Sequence, residues 1–328
     1  MSAESIKLGI VAIGRNEGER LRRCLTSTRL AGWPMVYVDS GSTDRSLALA
    51  KEFGCEVVAL DMTKPFTAAR ARNEGFQRLL QRHPGLSYVQ FVDGDCEVVS
   101  GWLETASAFL EANPRVAVVF GRRRERHPDR SIYNMLCDVD WDKPLGEVKA
   151  CGGDAMIRVD ALTAAGGYRP DLIAGEEPEL CIRLRAVGWR IWCLKSEMTL
   201  HDAAMTRFGQ WWKRAVRSGH ASAQGAYLHG APPECHKVRE SRSNWLWGLV
   251  LPTIALVGLV LFGPAALGLF AVYPLQVFRL ALKGKRSTRE NWWYALFVVL
   301  GKFPETEGQV RFFMTRILNK QSGLIEYK

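Results

Sequence analysis

The sequence lacks any Cys-x-x-Cys pair, although it contains eight cysteines at irregular intervals. This spacing argues against a cysteine-built zinc site and against a disulfide framework. We therefore expect free, mostly buried thiols in a reducing compartment. The stretch from Met1 to Arg15 also lacks the basic-then-apolar pattern of a signal peptide. Because these residues do not resemble a signal peptide, we expect the polar part of the chain to lie in the cytoplasm.

Nucleic-acid-binding motifs are also missing. There is no recognisable binding module, no zinc-finger spacing and no arginine-rich helix. We therefore expect no nucleic-acid partner, even though the net charge is +10. A positive charge of this kind also suits anionic lipid or a phosphate-bearing substrate. The 328 residues suffice for one large domain with an appendage.

The first hundred residues alternate short apolar runs with segments of helical spacing. The apolar runs predict strands at 8–13, 35–38, 55–60 and 88–92, and the other segments predict helices at 19–30, 45–53 and 67–81. Such alternation is typical of an α/β fold with right-handed crossovers and a parallel sheet. Loops that bind ligands should then cluster at the carboxyl ends of the strands, after residues 13, 38 and 92.

Polar side chains follow two of these strands. Asp93-Gly94-Asp95 places two carboxylates close together, and carboxylate oxygens suit Mg²⁺ or Mn²⁺. Taken alone, this motif is more often a solvated turn. Asp39 could accept hydrogen bonds from a nucleobase or ribose, or it could simply stabilise a turn. Arg72, on a predicted helix, could clamp phosphate oxygens or lie in solvent.

Several segments occur together in the order and spacing of one family. They are Asn16-Glu17, 39–44, 71–75, Asp93-Gly94-Asp95, 152–158, 166–168, 175–180, 183–184 and 188–189. Together they resemble family 2 glycosyltransferases of the GT-A fold, over roughly residues 6 to 220. The resemblance implies a Rossmann-like, mostly parallel sheet flanked by helices. It also implies a nucleotide-diphosphate sugar donor (usually UDP-linked), a divalent metal (Mn²⁺ or Mg²⁺) and inversion at the anomeric carbon.

The resemblance also implies roles for individual residues. Donor-binding roles fall on Asn16, Glu17, Asp39, Arg72, Asp93, Gly152 and Gly153. Among these, Asp39 would contact the base, Arg72 the phosphates, and the two glycines would line the sugar pocket. Asp95 would ligate the metal, and Asp93 would hold the ribose or the metal. His201 is a candidate third ligand or, equally, a hydrogen-bonded residue of a loop that follows a strand at 190–194.

The pair Glu176-Glu177 departs from the family pattern, which commonly has Glu-Asp with the aspartate as general base. Here Glu177 stands in the aspartate's place. Because Pro178 suits the first turn of a helix, we expect Glu177 near a helix start, where the dipole would keep its carboxylate ionised. Both glutamates are therefore candidate catalytic residues, with Glu177 as the base. The alternative is that they only complement the helix dipole.

The last third of the chain is different in composition. We expect a catalytic domain over 1–230, a linker over 231–243 and two apolar helices over 244–283, broken at Phe262-Gly263-Pro264. Each half has about eighteen residues, just enough to cross a bilayer core. Basic residues on both sides place both ends in the cytoplasm. A re-entrant hairpin and a buried helical pair are the alternatives.

Two further segments suggest contact with a membrane. Residues 284–328 should form interfacial helices and a tail, because the apolar positions 310, 313, 314, 317 and 318 make one stripe. Packing of that stripe against the catalytic domain is the alternative. The run Arg122-Arg123-Arg124 predicts a solvated or lipid-facing loop, or a contact with an acceptor phosphate. Residues 210–214 predict an amphipathic helix that closes over the site.

The sequence thus predicts a membrane-attached, metal-dependent glycosyltransferase at the inner membrane, with its catalytic domain in the cytoplasm. Its acceptor would be a lipid-linked sugar or a glycan. One rival is a polyprenyl-phosphate glycosyltransferase, whose phosphate acceptor is already ionised and needs no base. A second rival is an inactive membrane scaffold that still binds a nucleotide sugar.

Overall fold

The structure, a computed structural model, describes residues 8–29, 32–318 and 325. It divides into two compact units. The first comprises 1–127, 137–172 and 176–203, and the second comprises 128–136, 173–175 and 204–328. Residues 204–230, which the sequence analysis grouped with the catalytic domain, thus pack within the second unit. Leu30, at the end of the predicted helix 19–30, lies outside the described residues. So do residues 319–324 and 326–328 of the predicted C-terminal tail.

The first unit is built on a nine-stranded sheet. Its strands are β1 Leu8–Gly14, β2 Met35–Asp39, β3 Glu56–Ala59, β4 Tyr88–Asp93, β5 Cys96–Val98, β6 Val116–Glu125, β7 Gly146–Val148, β8 Ala155–Arg158 and β9 Arg190–His201. Their order is β3-β2-β1-β4-β8-β6-β9-β5, with β7 paired to β9. The predicted parallel pairing holds for β1 to β4, whereas β8 runs antiparallel to both β4 and β6. The sheet is therefore mixed.

Helices precede and follow these strands. They are α1 Glu19–Arg29, α2 Ser46–Glu52, α3 Ala68–Arg82, α4 Trp102–Ala112, α5 Ile132–Asp140, α6 Val159–Ala164 and α7 Glu176–Ala186, with a 3₁₀ turn at Pro128–Arg130. The first three agree with the prediction to within a few residues. Helix α3 begins where the Thr67 hydroxyl accepts the Arg70 N–H at 3.1 Å. A Cβ on Gly75 would lie 2.5 Å from Val11, so only glycine lets α3 lie this close to β1.

The strand register brings distant residues to one edge of the sheet. Gly14 pairs with Asp39, and Ile13 pairs with Asp93. Because β8 is antiparallel to β4, its amino end lies at the same edge as the carboxyl end of β4. Strands β6 and β9 are parallel and end there together. This convergence gathers the candidate site residues.

Two predictions about these strands were wrong. The run Arg122-Arg123-Arg124 lies in β6, not in a loop, and β9 continues without a loop as far as His201. In a strand, successive side chains point to opposite faces. Accordingly the Arg124 side chain is 49% exposed while that of Arg123 is 14% exposed. A run of like charges therefore concealed one inward-pointing arginine.

The second unit is helical. Its helices are α8 Phe208–His229, α9 Val238–Trp245, α10 Leu251–Phe262, α11 Val272–Lys283, α12 Thr288–Leu300 and α13 Lys302–Ile317. A π-helical turn joins α9 to α10, and a 3₁₀ segment leads into α11. The second half of the predicted linker is therefore helical. The two stretches Val238–Phe262 and Pro264–Lys283 are long and apolar enough to cross a membrane.

Glycines allow α8 and α13 to touch through their backbones. A Cβ on Gly219 would lie 1.9 Å from the Glu305 carbonyl oxygen, and one on Gly308 would lie 1.9 Å from that of Val216. One face of α13 is buried in this contact and includes Phe312. The predicted apolar stripe lies on the other face and is exposed at all five positions.

Candidate active site

Acidic side chains converge where β4, β6, β8 and β9 meet at one edge of the sheet. Asp93 ends β4, Asp95 follows it, and Asp154 directly precedes β8. We call these three residues the carboxylate cluster. Asp95 and Asp154 are buried, whereas the Asp93 side chain is 28% exposed. Two arginines, from α3 and β6, offset part of this charge, and one histidine, from β9, also contacts the cluster.

Arg72 is a buried arginine that bridges α3, β4 and α7. Its Nη1 lies 2.8 Å from Glu176 Oε1 and 3.0 Å from Glu177 Oε1. Its Nη2 donates to Asp93 Oδ1 at 3.0 Å. These carboxylates hold the guanidinium, and only 2% of the residue is exposed. Arg72 thus lies beside the candidate base, and its implied contact with the donor phosphates stays a prediction.

The two glutamates at the start of α7 differ in exposure. Glu176 is closed off, with 4% of its side chain exposed, whereas 13% of the Glu177 side chain is exposed. Burial, and next the charge of Glu176, raise the pKa of Glu177 to about 7, although Arg72 opposes the shift. The expected effect of the helix start is thus outweighed. A carboxyl group with this pKa can take up a proton near neutral pH.

Arg123 reaches the carboxylate cluster from β6. Its Nη2 lies 3.3 Å from Asp93 Oδ2 and 4.0 Å from Asp95 Oδ1. Its Nη1 lies 3.6 Å from Asp154 Oδ2. The guanidinium carbon also lies 4.7 Å from the centre of the Trp141 ring, a distance at which a cation and an aromatic face attract.

His201 ends β9 and lies between two carboxylates. Its Nε2 is 3.3 Å from Asp95 Oδ2, and its Nδ1 is 3.3 Å from Glu125 Oε2. Burial, and next Arg123, lower the pKa of His201 to about 4, so the imidazole is neutral at pH 7. In the tautomer whose Nδ1–H donates to Glu125, Nε2 is an acceptor that faces another acceptor on Asp95.

This arrangement fits a divalent cation. Two acceptors that face each other at 3.3 Å gain from a shared cation between them. Protein histidines that bind metals commonly donate their other N–H to a carboxylate, as His201 can to Glu125. Asp95 and His201 could therefore ligate one metal ion. Asp93 and Asp154 bring further oxygens close together, and carboxylate oxygens suit Mg²⁺ and Mn²⁺.

Asp154 organises the cluster. Its Oδ1 accepts the backbone N–H of Asp93 at 3.0 Å, and its Oδ2 accepts the Thr199 hydroxyl at 2.7 Å. It therefore links β4, β8 and β9 at the edge of the sheet. Asp154 lies in the family-like segment 152–158, in which the resemblance implies roles only for Gly152 and Gly153.

Three residues with implied donor-binding roles, Asn16, Glu17 and Asp39, lie at or after the ends of β1 and β2. Asp39 is buried, and its Oδ2 accepts the backbone N–H groups of Gly41 and Ser42 at 3.0 and 2.8 Å. These two bonds fit the alternative in which Asp39 stabilises a turn, and its contact with a nucleobase stays a prediction. Asn16 has a positive φ of 55° and accepts the Thr43 N–H at 2.8 Å, which joins the loops after β1 and β2. Glu17 forms an ion pair with Arg20 at 2.8 Å.

The two glycines before Asp154 lie in different surroundings. A Cβ on Gly153 would lie 2.5 Å from Arg72 Nη2 and 3.3 Å from Glu177 Oε1. A Cβ on Gly152 would meet nothing within 4 Å among the described residues. Gly153 therefore leaves room for the Arg72 side chain, and a sugar-pocket role stays a prediction for both glycines.

Sequence reasoning gave no role to Glu125 or Trp141, and it placed Arg123 in a loop instead of a strand. Arg123 and Glu125 lie on the same face of β6, two residues apart. A strand prediction for the arginine run would therefore have placed both side chains on one face. The position of Trp141 depends on the tertiary fold, where its ring lies 4.4 Å from that of His201. The local sequence around Trp141 does not predict that contact.

Comparison with known proteins agrees with this geometry. Residues 10–161 match the family model of glycosyl transferase family 2, and this match confirms the predicted family. These residues, slightly under half of the chain, are thus similar to family 2 glycosyltransferases, and the mixed sheet of the first unit is of the GT-A type.

Individual relatives are more distant. The chain is 26% identical over 229 residues to the pre-mycofactocin glycosyltransferase of Mycobacterium tuberculosis, a match that covers 66% of this chain and 46% of that one. The chain thus spans about half the length of that curated relative. Among solved structures it resembles the mannosyltransferase PcManGT from Pyrobaculum calidifontis in complex with GDP-Man and Mn²⁺. The TM-score is 0.62 at 20% identity, over 93% of this chain and 87% of that one. It also resembles S. aureus TarS residues 1–349, with a TM-score of 0.50 at 15% identity over 92% of both chains.

The Arg72 contacts predict a pH-dependent loss of stability on substitution. Arg72→Met should lower the melting temperature strongly, because removing one partner of a buried ion pair costs about 3–5 kcal/mol. The carboxylates left behind gain higher pKa values and take up protons as the pH falls. The loss should therefore be largest above pH 7 and shrink towards pH 5.

Melting curves recorded across this pH range check the prediction. Arg78→Met is a matched control on the same helix, because Arg78 is 43% exposed and pairs with Glu56 at 3.3 Å. An exposed pair of this kind contributes about 0–1 kcal/mol. Equal effects of the two substitutions at every pH would contradict the buried role of Arg72.

Proposed function

We propose that this chain is an inverting, metal-dependent glycosyltransferase. It moves a sugar from a nucleoside-diphosphate sugar to a hydroxyl of an acceptor held near a membrane. The observation that carries the proposal is the position of Glu177. This partly exposed carboxyl group, with a pKa of about 7, shares Arg72 with Asp93 of the carboxylate cluster. A proton acceptor and a candidate cation site are thus joined by one buried arginine.

The proposed cation is Mn²⁺ or Mg²⁺, held by Asp95, Asp93 and His201, with Asp154 supporting the cluster. When bound, it would offset the negative charge that develops on the leaving diphosphate. The neutral imidazole and its Glu125 partner support this assignment. The similar fold of PcManGT, solved with GDP-Man and Mn²⁺, supports the same class of donor and metal.

The donor's nucleoside would lie at the loops after β1 and β2, with Asn16, Glu17 and Asp39. The bonds of Asn16 and Asp39 to neighbouring backbone N–H groups hold these loops together. The family resemblance favours UDP as the nucleotide, and we adopt a UDP-sugar as the first donor to test. Gly152 and Gly153 would then lie at the sugar, beside Arg72 and Glu177.

Glu177 is the proposed general base. The acceptor hydroxyl oxygen forms a bond to the anomeric carbon while the bond from that carbon to the phosphate oxygen breaks. The hydroxyl proton passes to the Glu177 carboxylate, and the diphosphate leaves with the bonding electron pair. Glu176 is less suited to this step, because its side chain is closed off and lies 2.8 Å from Arg72. It would instead fix Arg72 in place.

The proposed location is the inner membrane, with the glycosyltransferase domain in the cytoplasm. Two apolar helical stretches and the exposed stripe on α13 support attachment of the second unit to a bilayer. Basic residues at 237, 239 and 242, and at 283, 285, 286 and 289, flank the apolar part on both sides. Both ends of that part would therefore lie on the cytoplasmic side. A lipid-linked sugar or a growing glycan is the matching acceptor.

Substitution of Glu177 tests the proposed base. Glu177→Gln keeps the size of the side chain but removes its basicity, so turnover should fall at least about a hundredfold. In the wild-type enzyme, turnover should decline as the pH falls below about 7, because protonated Glu177 cannot accept a proton. This acidic limb should disappear in Glu177→Gln. Steady-state rates across pH 5 to 9 are the measurement.

Glu176→Gln is the matched comparison. It should act less on turnover than Glu177→Gln, and more on KM for the acceptor. An equal loss of turnover in both variants would contradict the assignment of the base to Glu177. Near-normal turnover in Glu177→Gln would favour a polyprenyl-phosphate acceptor, whose oxygen is already ionised.

Membrane attachment is tested with the full chain, because removing α13 would uncover α8. The chain should stay in the membrane fraction through a high-salt wash and be released by detergent. Ile254→Asp should weaken this attachment, since an aspartate near the centre of a spanning helix costs about 2.5–3.5 kcal/mol. Val187→Asp is the control outside the apolar stretches, because Val187 is 74% exposed at the end of α7 and Ile254 is 54% exposed. Release of the unchanged chain by salt alone would contradict the apolar attachment.

A further inference from the structure

Arg123 contacts the same carboxylates that would hold the metal. Its guanidinium lies within 4.0 Å of one oxygen of each member of the carboxylate cluster. The two other arginines of the run do not share this position. Arg122 pairs with Asp138 at 2.8 Å, and Arg124 pairs with Glu197 at 2.8 Å. One arginine of the three therefore belongs to the site.

An aromatic ring fixes one side of the guanidinium. Trp141 lies under Arg123 and also packs its ring against His201, with the ring centres 4.4 Å apart. The Arg123 side chain is 14% exposed, so it is close to solvent but not free in it. The guanidinium is therefore held by the Trp141 ring as well as by the carboxylates, close to solvent.

A guanidinium and a divalent cation would compete for the same carboxylate oxygens. Arg123 lies closest to Asp93, at 3.3 Å, which is also a proposed ligand of the cation, and two positive groups within a few ångströms repel each other. Binding of the cation should therefore weaken the hold of the cluster on Arg123. A released guanidinium suits a phosphate, because its parallel N–H groups match two phosphate oxygens.

We propose that Arg123 is a metal-linked donor-binding residue. With a cation bound, Asp93 and Asp95 would hold it, and the guanidinium of Arg123 would then bind the diphosphate of the donor. This inference rests on the proposed function and adds a binding order to it, in which the metal precedes the donor. It also gives the diphosphate a second candidate arginine besides Arg72.

The test measures binding of Mn²⁺ to the purified full chain in detergent, by the EPR signal of the free ion. Arg123→Met removes the competitor, so Mn²⁺ should bind at least about tenfold tighter, or 1.4 kcal/mol. Arg124→Met is the matched control, with the same change of net charge on the opposite face of β6, and its Mn²⁺ affinity should equal that of the wild-type chain. An arginine that only holds the carboxylates in place would give the opposite sign, because its loss would loosen the ligands.

A second measurement adds UDP, and GDP in parallel, to the same Mn²⁺ titration. In the wild-type chain the nucleotide should tighten Mn²⁺ binding, because the released Arg123 then contacts the diphosphate. This gain should fall at least about tenfold in Arg123→Met, again 1.4 kcal/mol. Arg123→Lys keeps a positive charge without the paired N–H groups. It should show a smaller increase in Mn²⁺ affinity than Arg123→Met, and most of the nucleotide effect should be lost.

The outcomes separate this inference from the proposed function. Weaker or unchanged Mn²⁺ binding in Arg123→Met, with a normal melting temperature, would overturn the proposed competition between Arg123 and the cation. If Arg123→Met does not fold, Arg123→Lys decides, and wild-type behaviour of that variant in both titrations would overturn the proposal. Absence of Mn²⁺ binding by the wild-type chain would remove the metal from the proposed function, and this inference with it.

Discussion

The buried pairing of Arg72 with Glu176, Glu177 and Asp93 is the interaction on which the site depends. An unpaired charge in a protein interior is costly, so these groups are stable only together. Their pairing ties α3, β4 and α7 to one point at the edge of the sheet. Gly75 and Gly153 make this arrangement possible, because neither position has room for a Cβ. The raised pKa of Glu177 follows from the same burial.

The carboxylate cluster depends on this pairing through Asp93. One oxygen of Asp93 contacts Arg72 and the other contacts Arg123. The candidate base and the candidate cation site are therefore electrostatically connected through one side chain. His201 and Glu125 complete the far side of the cluster, where β6 and β9 lie in register. Arg72 and Arg123 offset only part of the negative charge of these acids.

Much of the first unit could be predicted from its sequence. Apolar runs marked β1, β2 and β4, and the residues at their ends are close together because parallel strands end at one edge. The extent of β9 was missed, because Lys195, Ser196 and Glu197 interrupt its apolar pattern. Arg123 was missed because its partners lie about 30 residues away on either side, in β4 and before β8. The pKa of Glu177 depends on tertiary burial, which the dipole argument from helix position could not include.

In the second unit, the apolar stretches were evident from the sequence, whereas no local sequence pattern predicted the glycine contact between α8 and α13.

Hydrolysis of sugar nucleotides by the purified full chain in detergent tests the central claim most directly. A panel of UDP- and GDP-linked sugars would be incubated with Mn²⁺ or Mg²⁺, and release of the nucleoside diphosphate would be measured. The account predicts that at least one donor is hydrolysed. It further predicts that a chelator abolishes the reaction, that added metal restores it, and that Asp95→Ala remains inactive under all conditions. Binding of donors without hydrolysis of any would indicate an inactive scaffold, and hydrolysis that persists in the chelated enzyme would contradict the metal-dependent site.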